Sequence, residues 1–187
     1  MTPTQIATLK AALIADSNLA TQKAAHDTQG IADYLNADST FIVWRSSTAA
    51  DDISDAITWA SLTPTDAPDA TVPFTNRILV CQTKQMALQQ QLLGKTTVNT
   101  GKSNIRAAFQ DALLAVPSGA GGATVDAGWL GAGKVKAAIS RAASRLEKIF
   151  ATGTGTAASP GTLVVETQVS ELTIRQLAWA DDGTWLL

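Results

Sequence analysis

Apolar residues recur along much of the chain with the spacing of an α-helix. The first of them lie at i, i+3 and i+7 and are Ile6, Leu9 and Leu13. Thr2 can cap a helix here, Pro3 suits its first position and Gln5 completes a capping box. The pattern therefore predicts a first helix that begins at Pro3 and buries one apolar face.

The same spacing predicts more helices further along the chain. They are expected at residues 18–36, 47–62, 74–93, 104–116, 134–150 and 170–179. Ser47 or Thr48 would cap the helix at 47–62, and Cys81 would be a small core residue of the helix at 74–93. The most regular apolar stripe is that of the helix at 134–150, and its members are Val135, Ala138, Ile139, Ala142, Leu146, Ile149 and Phe150.

Two short segments have the β-branched and apolar character of strands. They lie near 41–45 and 162–166, and the second follows the Gly- and Thr-rich stretch ATGTGTAASPG. We therefore predict a mainly α protein, with a helical bundle-like domain at 1–150. Residues 151–187 are predicted to be a linker, a short strand and an extended C-terminal arm. The apolar end of that arm includes Trp179, Trp185, Leu186 and Leu187, and it suggests docking onto the chain's own core or onto a neighbour.

Composition adds a segregation of charge. Only 16% of the 187 residues are charged, below the roughly 25% usual in soluble domains. Residues 1–70 carry nine acids and three bases, residues 71–150 ten bases and three acids, and residues 151–187 four acids and one base. Opposite charges on different faces can meet in a head-to-tail ring. Neutralisation within one subunit is the simpler alternative.

The single cysteine and single histidine limit the possible chemistry. Cys81 cannot form an intramolecular disulfide, and His26 lacks the partners that a catalytic triad or a zinc site requires. His26 is expected at the solvated surface. We predict no catalytic residue, no metal and no cofactor, so the protein is not expected to be an enzyme. No apolar run approaches the roughly 18 residues of a membrane span, and the first residues lack the pattern of a signal peptide.

The stretch GWLGAGKVK resembles a phosphate-binding loop in spacing only. Gly128, Gly133 and Lys134 match the first glycine, the second glycine and the lysine of G-x-x-x-x-G-K. Val135 stands where that motif has a magnesium-binding hydroxyl, and no apolar strand precedes the stretch. We interpret it as a loop that enters a helix, with Trp129 and Leu130 buried.

A row of basic residues is expected beside the apolar stripe of the helix at 134–150. Its members are Lys134, Arg141, Arg145 and Lys148. Such a row can follow DNA phosphates, pair with acids of a neighbouring subunit, or simply face water. The second and third interpretations fit the acidic overall charge better.

Several segments resemble small proteins encoded in the virion-gene clusters of tailed phages and prophages. They are YLN (34–36), FIVWR (41–45), SNIRAAF (103–109) and, most closely, SRLEKIFATGTGTAASPGTLVVE (144–166). The resemblance implies a head-to-tail adaptor, or connector, of the phage neck. Its partners would be copies of itself in a ring, the portal protein and a downstream neck or tail protein, with packaged DNA passing close by.

This resemblance also implies a place for the protein. It would be assembled in the bacterial cytoplasm and located in the virion neck, without contact with a membrane. Two alternatives stay open: a tail-completion or other minor virion protein of the same cluster, and a cytoplasmic DNA-binding or regulatory protein.

Overall fold

The structure is a computed structural model, and it describes residues 1–66, 71–119, 122–130, 134–164 and 166–187. The fold is mainly α, as the sequence predicts. Its helices are α1 (Pro3–Ala15), α2 (Ala20–Ala24), α3 (Thr28–Asn36), α4 (Ala50–Ala56), α5 (Phe74–Leu92), α6 (Ser103–Leu113), α7 (Lys134–Ala138), α8 (Arg145–Phe150) and α9 (Glu171–Ala178). The strands are short, and they are β1 (Asp38–Trp44), β2 (Thr48–Ala49), β3 (Thr97–Val98) and β4 (Ser140–Ser144).

The chain folds into two compact units that alternate along the sequence. The first unit comprises residues 1–43, 142–155 and 161–187, and the second comprises residues 44–141 and 156–160. These units differ from the division at residue 150 that the sequence suggests. The reason is that residues 161–187 pack with the N-terminal helices instead of extending from the fold.

Local signals and one apolar core form the first unit. The expected capping box closes the start of α1: the Thr2 amide donates to Gln5 Oε1 at 2.7 Å and the Gln5 amide to Thr2 Oγ1 at 3.3 Å. Helix α3 packs against α9, and both α1 and α3 pack against α8. The buried core consists of Leu9, Leu13, Leu19, Ile31, Ala32, Leu35, Leu146, Val169 and Ile174. The C-terminal part of the chain therefore supplies core residues of this unit.

Strand β1 is held by Gly155 and Gly161, two glycines of the Gly- and Thr-rich segment that belong to the first unit. The Ile42 amide donates to the Gly155 carbonyl, and the Gly161 amide donates to the Ile42 carbonyl, both at 2.8 Å. The ring of Phe41 lies between the two glycines. A Cβ on Gly155 would overlap this ring, and a Cβ on Gly161 would lie 2.6 Å from Phe41 Cε1. Only glycine fits at either position, and the term "glycine clasp" below denotes Phe41, Gly155 and Gly161.

The second unit has its own apolar core, which lies mainly between α4, α5, α6 and α7. Strands β2 and β3 pair antiparallel with Thr48 opposite Val98. Two cation–aromatic contacts flank the stacked rings of Trp44 and Trp129. The Arg106 guanidinium lies 4.8 Å from the Trp44 ring, and the Lys136 ammonium lies 5.4 Å from the Trp129 ring.

The prediction of one continuous helix at 134–150 is wrong. Helix α7 ends at Ala138, residues 140–144 form β4, and α8 begins at Arg145. Strand β4 pairs with β1, and the Ser39 hydroxyl donates to the Ala143 carbonyl at 2.7 Å. The small side chains of this segment fit a strand as well as a helix, so pairing with a distant strand determines the conformation.

Two other elements are shorter than expected. Helix α4 occupies only part of 47–62, because Thr48 pairs within β2 and its hydroxyl bonds that of Thr100. The strand near 41–45 is confirmed by β1. The strand expected at 162–166 is reduced to single bridges at Gly161 and Thr162, and Val165 lies outside the described residues.

Candidate functional site

The first unit contains a cavity of about 730 Å³ beside α8. Its wall combines charged and hydroxyl groups with an apolar part, and the lining residues are Ala12, Leu13, Asp16, Asn18, Tyr34, Leu35, Asp38, Ser39, Thr40, Arg145, Lys148 and Ile149. Arg145 and Lys148 are one helical turn apart on α8, so both side chains reach the same space. This volume lies within the range of ligand-binding pockets.

Tyr34 connects the charged groups of this cavity. The Arg145 guanidinium lies 4.3 Å from the Tyr34 ring and donates to the Tyr34 carbonyl at 3.0 Å. Burial and a hydrogen bond to Asp16 raise the pKa of the Tyr34 hydroxyl. Desolvation acts to raise the pKa of Asp16, but hydrogen bonds from Asn18 and Tyr34 and the charge of Lys23 hold that pKa below its usual value. Asp16 is therefore an anion, and Tyr34 is neutral, at physiological pH.

The four basic residues expected in one row do not share a helix. Lys134 begins α7 and Arg141 lies in β4, both in the second unit, whereas Arg145 and Lys148 belong to α8 in the first. The row requires continuous helix from 134 to 150, which β4 interrupts. Only Arg145 and Lys148 are brought together, at the cavity described above.

The C-terminal residues proposed as a docking surface pack within the first unit. Trp185 and Leu187 contact its apolar core, and the Leu186 amide donates to the Ala178 carbonyl at 2.7 Å. The Trp185 ring packs edge-on against Trp179, with centroids 5.0 Å apart. Of these residues, Leu186 is 37% exposed. This end of the chain therefore docks in cis.

His26 belongs to the same aromatic group. Its ring stacks on Trp185 with centroids 4.5 Å apart and meets Trp179 edge-on at 5.3 Å. The residue is exposed, as expected, but it also covers one face of the C-terminal tryptophan. No local pattern in the sequence indicates this contact, because His26 and Trp185 are 159 positions apart.

The loop with phosphate-binding spacing already holds an anion of its own. The Asp126 carboxylate accepts hydrogen bonds from the backbone amides of Gly128, Trp129 and Leu130 at 2.8–3.2 Å. Those amides are therefore not directed at a nucleotide. Trp129 is buried as predicted, but Leu130 is 61% exposed, so the prediction for Leu130 is wrong. Gly133 lies outside the described residues.

Helix α5 presents an apolar surface that our sequence analysis did not identify. Its inner face buries Arg77, Cys81 and Leu88, and its outer face exposes large apolar side chains. These are Leu79 (62% exposed), Val80 (42%), Met86 (58%) and, directly after the helix, Leu93 (81%). The i, i+7, i+14 spacing of Leu79, Met86 and Leu93 was a signal for this second apolar stripe.

Other site chemistry is limited in the described ranges. There, no group of three or more His, Cys, Asp or Glu side chains is arranged to hold a metal ion. None of the described helices combines the length and apolarity that a membrane crossing requires. The chain matches no protein-family model, no curated protein and no solved structure.

Proposed function

We propose that this chain is a structural virion protein of a tailed phage, namely a head-to-tail adaptor subunit. Copies of the chain would form a ring between the portal and the tail, through which DNA passes. The protein would be located in the neck of the particle after assembly in the bacterial cytoplasm. This proposal rests first on the resemblance of four segments to small phage neck proteins.

The observation that carries the proposal is that three of these segments contact one another in the first unit, while the fourth, SNIRAAF, lies in α6 of the second unit. The FIVWR segment supplies Phe41 of the glycine clasp, and the segment at 144–166 supplies both glycines. In YLN, the Tyr34 ring stacks on Arg145 of the 144–166 segment. The three segments thus form one connected group of contacts, and this supports treating the resemblance as that of a structural unit.

The last residue of YLN extends this set of contacts. The Asn36 side chain donates to the Val169 carbonyl at 2.7 Å and accepts from the Val169 amide at 2.9 Å. These two hydrogen bonds attach the chain that follows the glycine clasp to α3. Residues of YLN, FIVWR and the 144–166 segment thus lie where the chain segments of the first unit meet.

The two alternatives differ in what they require. A tail-completion protein would use the same fold at another level of the particle. A DNA-binding protein would need a continuous basic surface, and the interruption by β4 removes the helical row that suggested one. We therefore favour a virion role.

Antibody labelling of this chain on purified particles, viewed by electron microscopy, tests the proposal. We expect label at the junction of head and tail. Label at the distal part of the tail would favour the alternative virion role, and absence of the chain from particles would refute both virion roles. Filter binding to duplex DNA over a range of salt concentrations tests the third role, which requires an affinity that falls steeply with salt.

A further inference from the structure

The outer face of α5 is uncharged over its whole length. The charged residues of this helix are Arg77, which is fully buried, and Lys84, whose ammonium donates to the carbonyls of Asp111 and Leu114. The exposed polar residues beside the apolar stripe are Thr75, Asn76, Gln82, Thr83, Gln89 and Gln90. Such a face does not select a charged partner, and it does not repel a copy of itself.

The apolar residues of this face have a symmetric arrangement. Leu79, Met86 and Leu93 lie at equal spacing of seven residues, with Met86 at the centre. If a second α5 lies antiparallel across Met86, each Leu79 meets a Leu93 and the two methionines meet each other. A two-fold contact requires this kind of self-complementarity, because both partners use the same surface.

A cavity at one end of the stripe can accommodate a side chain of the second copy. It has a volume of about 390 Å³ and is lined by Ala50, Asp51, Ser54, Trp59, Gln89, Leu92, Leu93, Gly94 and Lys95. Trp59 is 36% exposed there. In the antiparallel arrangement, Leu79 of the second copy lies next to Leu93 and can enter this cavity.

We propose that the outer face of α5 is a contact surface for a second copy of this chain, with the two helices antiparallel about Met86. The helix has 19 residues and is thus about 28 Å long. A strip about 10 Å wide along it covers roughly 280 Å², well below the ~800 Å² per partner of a standard interface. The pair is therefore weak, and we expect a dissociation constant of roughly 1–100 μM.

This inference does not depend on the proposed phage function. A two-fold pair uses one face twice, whereas a ring uses two different faces of each subunit. The α5 contact would consequently describe the free protein or a contact between rings, and it can fail or hold separately from the neck assignment.

Cysteine cross-linking of the full chain tests the geometry. Met86→Cys should give disulfide-linked dimers under mild oxidation, because the two cysteines meet at the two-fold axis. Leu79→Cys and Leu93→Cys should each cross-link poorly alone and efficiently when mixed. Gln110→Cys, on the exposed side of α6, is the matched control, and the native Cys81 is 1% exposed and should not react.

Charge substitution at the centre provides the second measurement. By sedimentation at about 100 μM, the wild-type chain should show reversible dimers. Met86→Asp should weaken them by roughly tenfold or more, because two carboxylates would meet. Mixing the Met86→Asp and Met86→Lys variants should restore association. Cross-linking of Met86→Cys no better than the control would overturn the proposal, as would efficient self-cross-linking of Leu79→Cys, a monomeric wild type or an unaffected Met86→Asp variant.

Discussion

Replacing Gly155 by alanine tests how strand β1 is held in the first unit. Gly155 has φ +66°, and its carbonyl accepts from the Ile42 amide at 2.8 Å. An added methyl group would overlap the ring of Phe41. The substitution therefore combines an unfavourable backbone conformation with a steric conflict inside the glycine clasp.

The expected cost follows from these two effects. A left-handed backbone costs a non-glycine residue about 1–2 kcal/mol, and alanine returns roughly 0.4–1 kcal/mol through the less flexible unfolded chain. Displacing a packed ring adds about 1–3 kcal/mol. We expect Gly155→Ala to destabilise the first unit by about 2–4 kcal/mol.

Gly183→Ala is a matched control in the same unit. Gly183 has φ +82°, but a Cβ there meets no atom within 4 Å, so only about 1 kcal/mol is expected. The destabilisation of the first unit by each glycine variant is measured by amide exchange of first-unit peptides during urea titration. The double variant Phe41→Ala/Gly155→Ala should be destabilised by about 1–2 kcal/mol less than the sum of the two single variants, because the ring that the methyl group displaces is then absent. Equal costs for the two glycine variants, with additive effects in the double variant, would refute the clasp.

Three further predictions concern other contacts. Removing the last three residues takes Trp185 and Leu187 from the first unit's core and should cost about 2–4 kcal/mol in the same exchange assay; an intact first unit would contradict docking in cis. Asp126→Asn should lower thermal stability by about 1–2 kcal/mol through weaker bonds to three amides, whereas Asp66→Asn, at an exposed position outside the helices, should not. Because the pKa of Asp16 is lowered in the folded chain, its stabilisation is complete above the unfolded value of about 4 and is lost as pH falls through the folded value. The stability difference between wild type and Asp16→Asn should therefore shrink below about pH 4 in urea titrations, and a constant difference would contradict it.

The sequence predicted those elements whose signals are local. The Thr2–Gln5 box and Pro3 define the start of α1 within four residues, and the structure has this helix as expected. Cys81 and Leu88 fall on the buried side of α5, as their helical spacing indicates. Such features need no information from distant parts of the chain.

The segment at 134–150 shows where local spacing fails. Its apolar positions fit a helix, yet residues 140–144 pair with a strand about a hundred residues earlier in the chain. One local signal was present: Ser144 and Glu147 form a capping box, with Ser144 Oγ accepting from the Glu147 amide at 3.1 Å. This S-x-x-E spacing indicates a helix start at Arg145. Because a helix that begins at Arg145 cannot include Lys134 and Arg141, the four basic residues do not form one helical row.

The surfaces of the protein were less predictable than its core. An apolar stripe in a sequence does not reveal whether it faces the interior or the solvent. Helix α5 has one stripe that is buried and one that is exposed. The buried stripe through Cys81 suffices to predict helix α5, and the second stripe of Leu79, Met86 and Leu93 adds nothing to that prediction. The partners of Trp185 were equally hidden, since His26 is remote in the sequence.

The alternation of the two units along the chain has a consequence for folding during synthesis. Helix α3 needs α9 as its partner, yet the ribosome requires on the order of ten seconds to add the intervening chain. Until then the apolar faces of the N-terminal helices lack their cover, whereas most of the second unit's residues have already been made. The nascent N-terminal segment is thus the part most exposed to aggregation and to chaperone binding. A stall late in translation would prolong this exposure, because α9 would not yet be available to pack against α3.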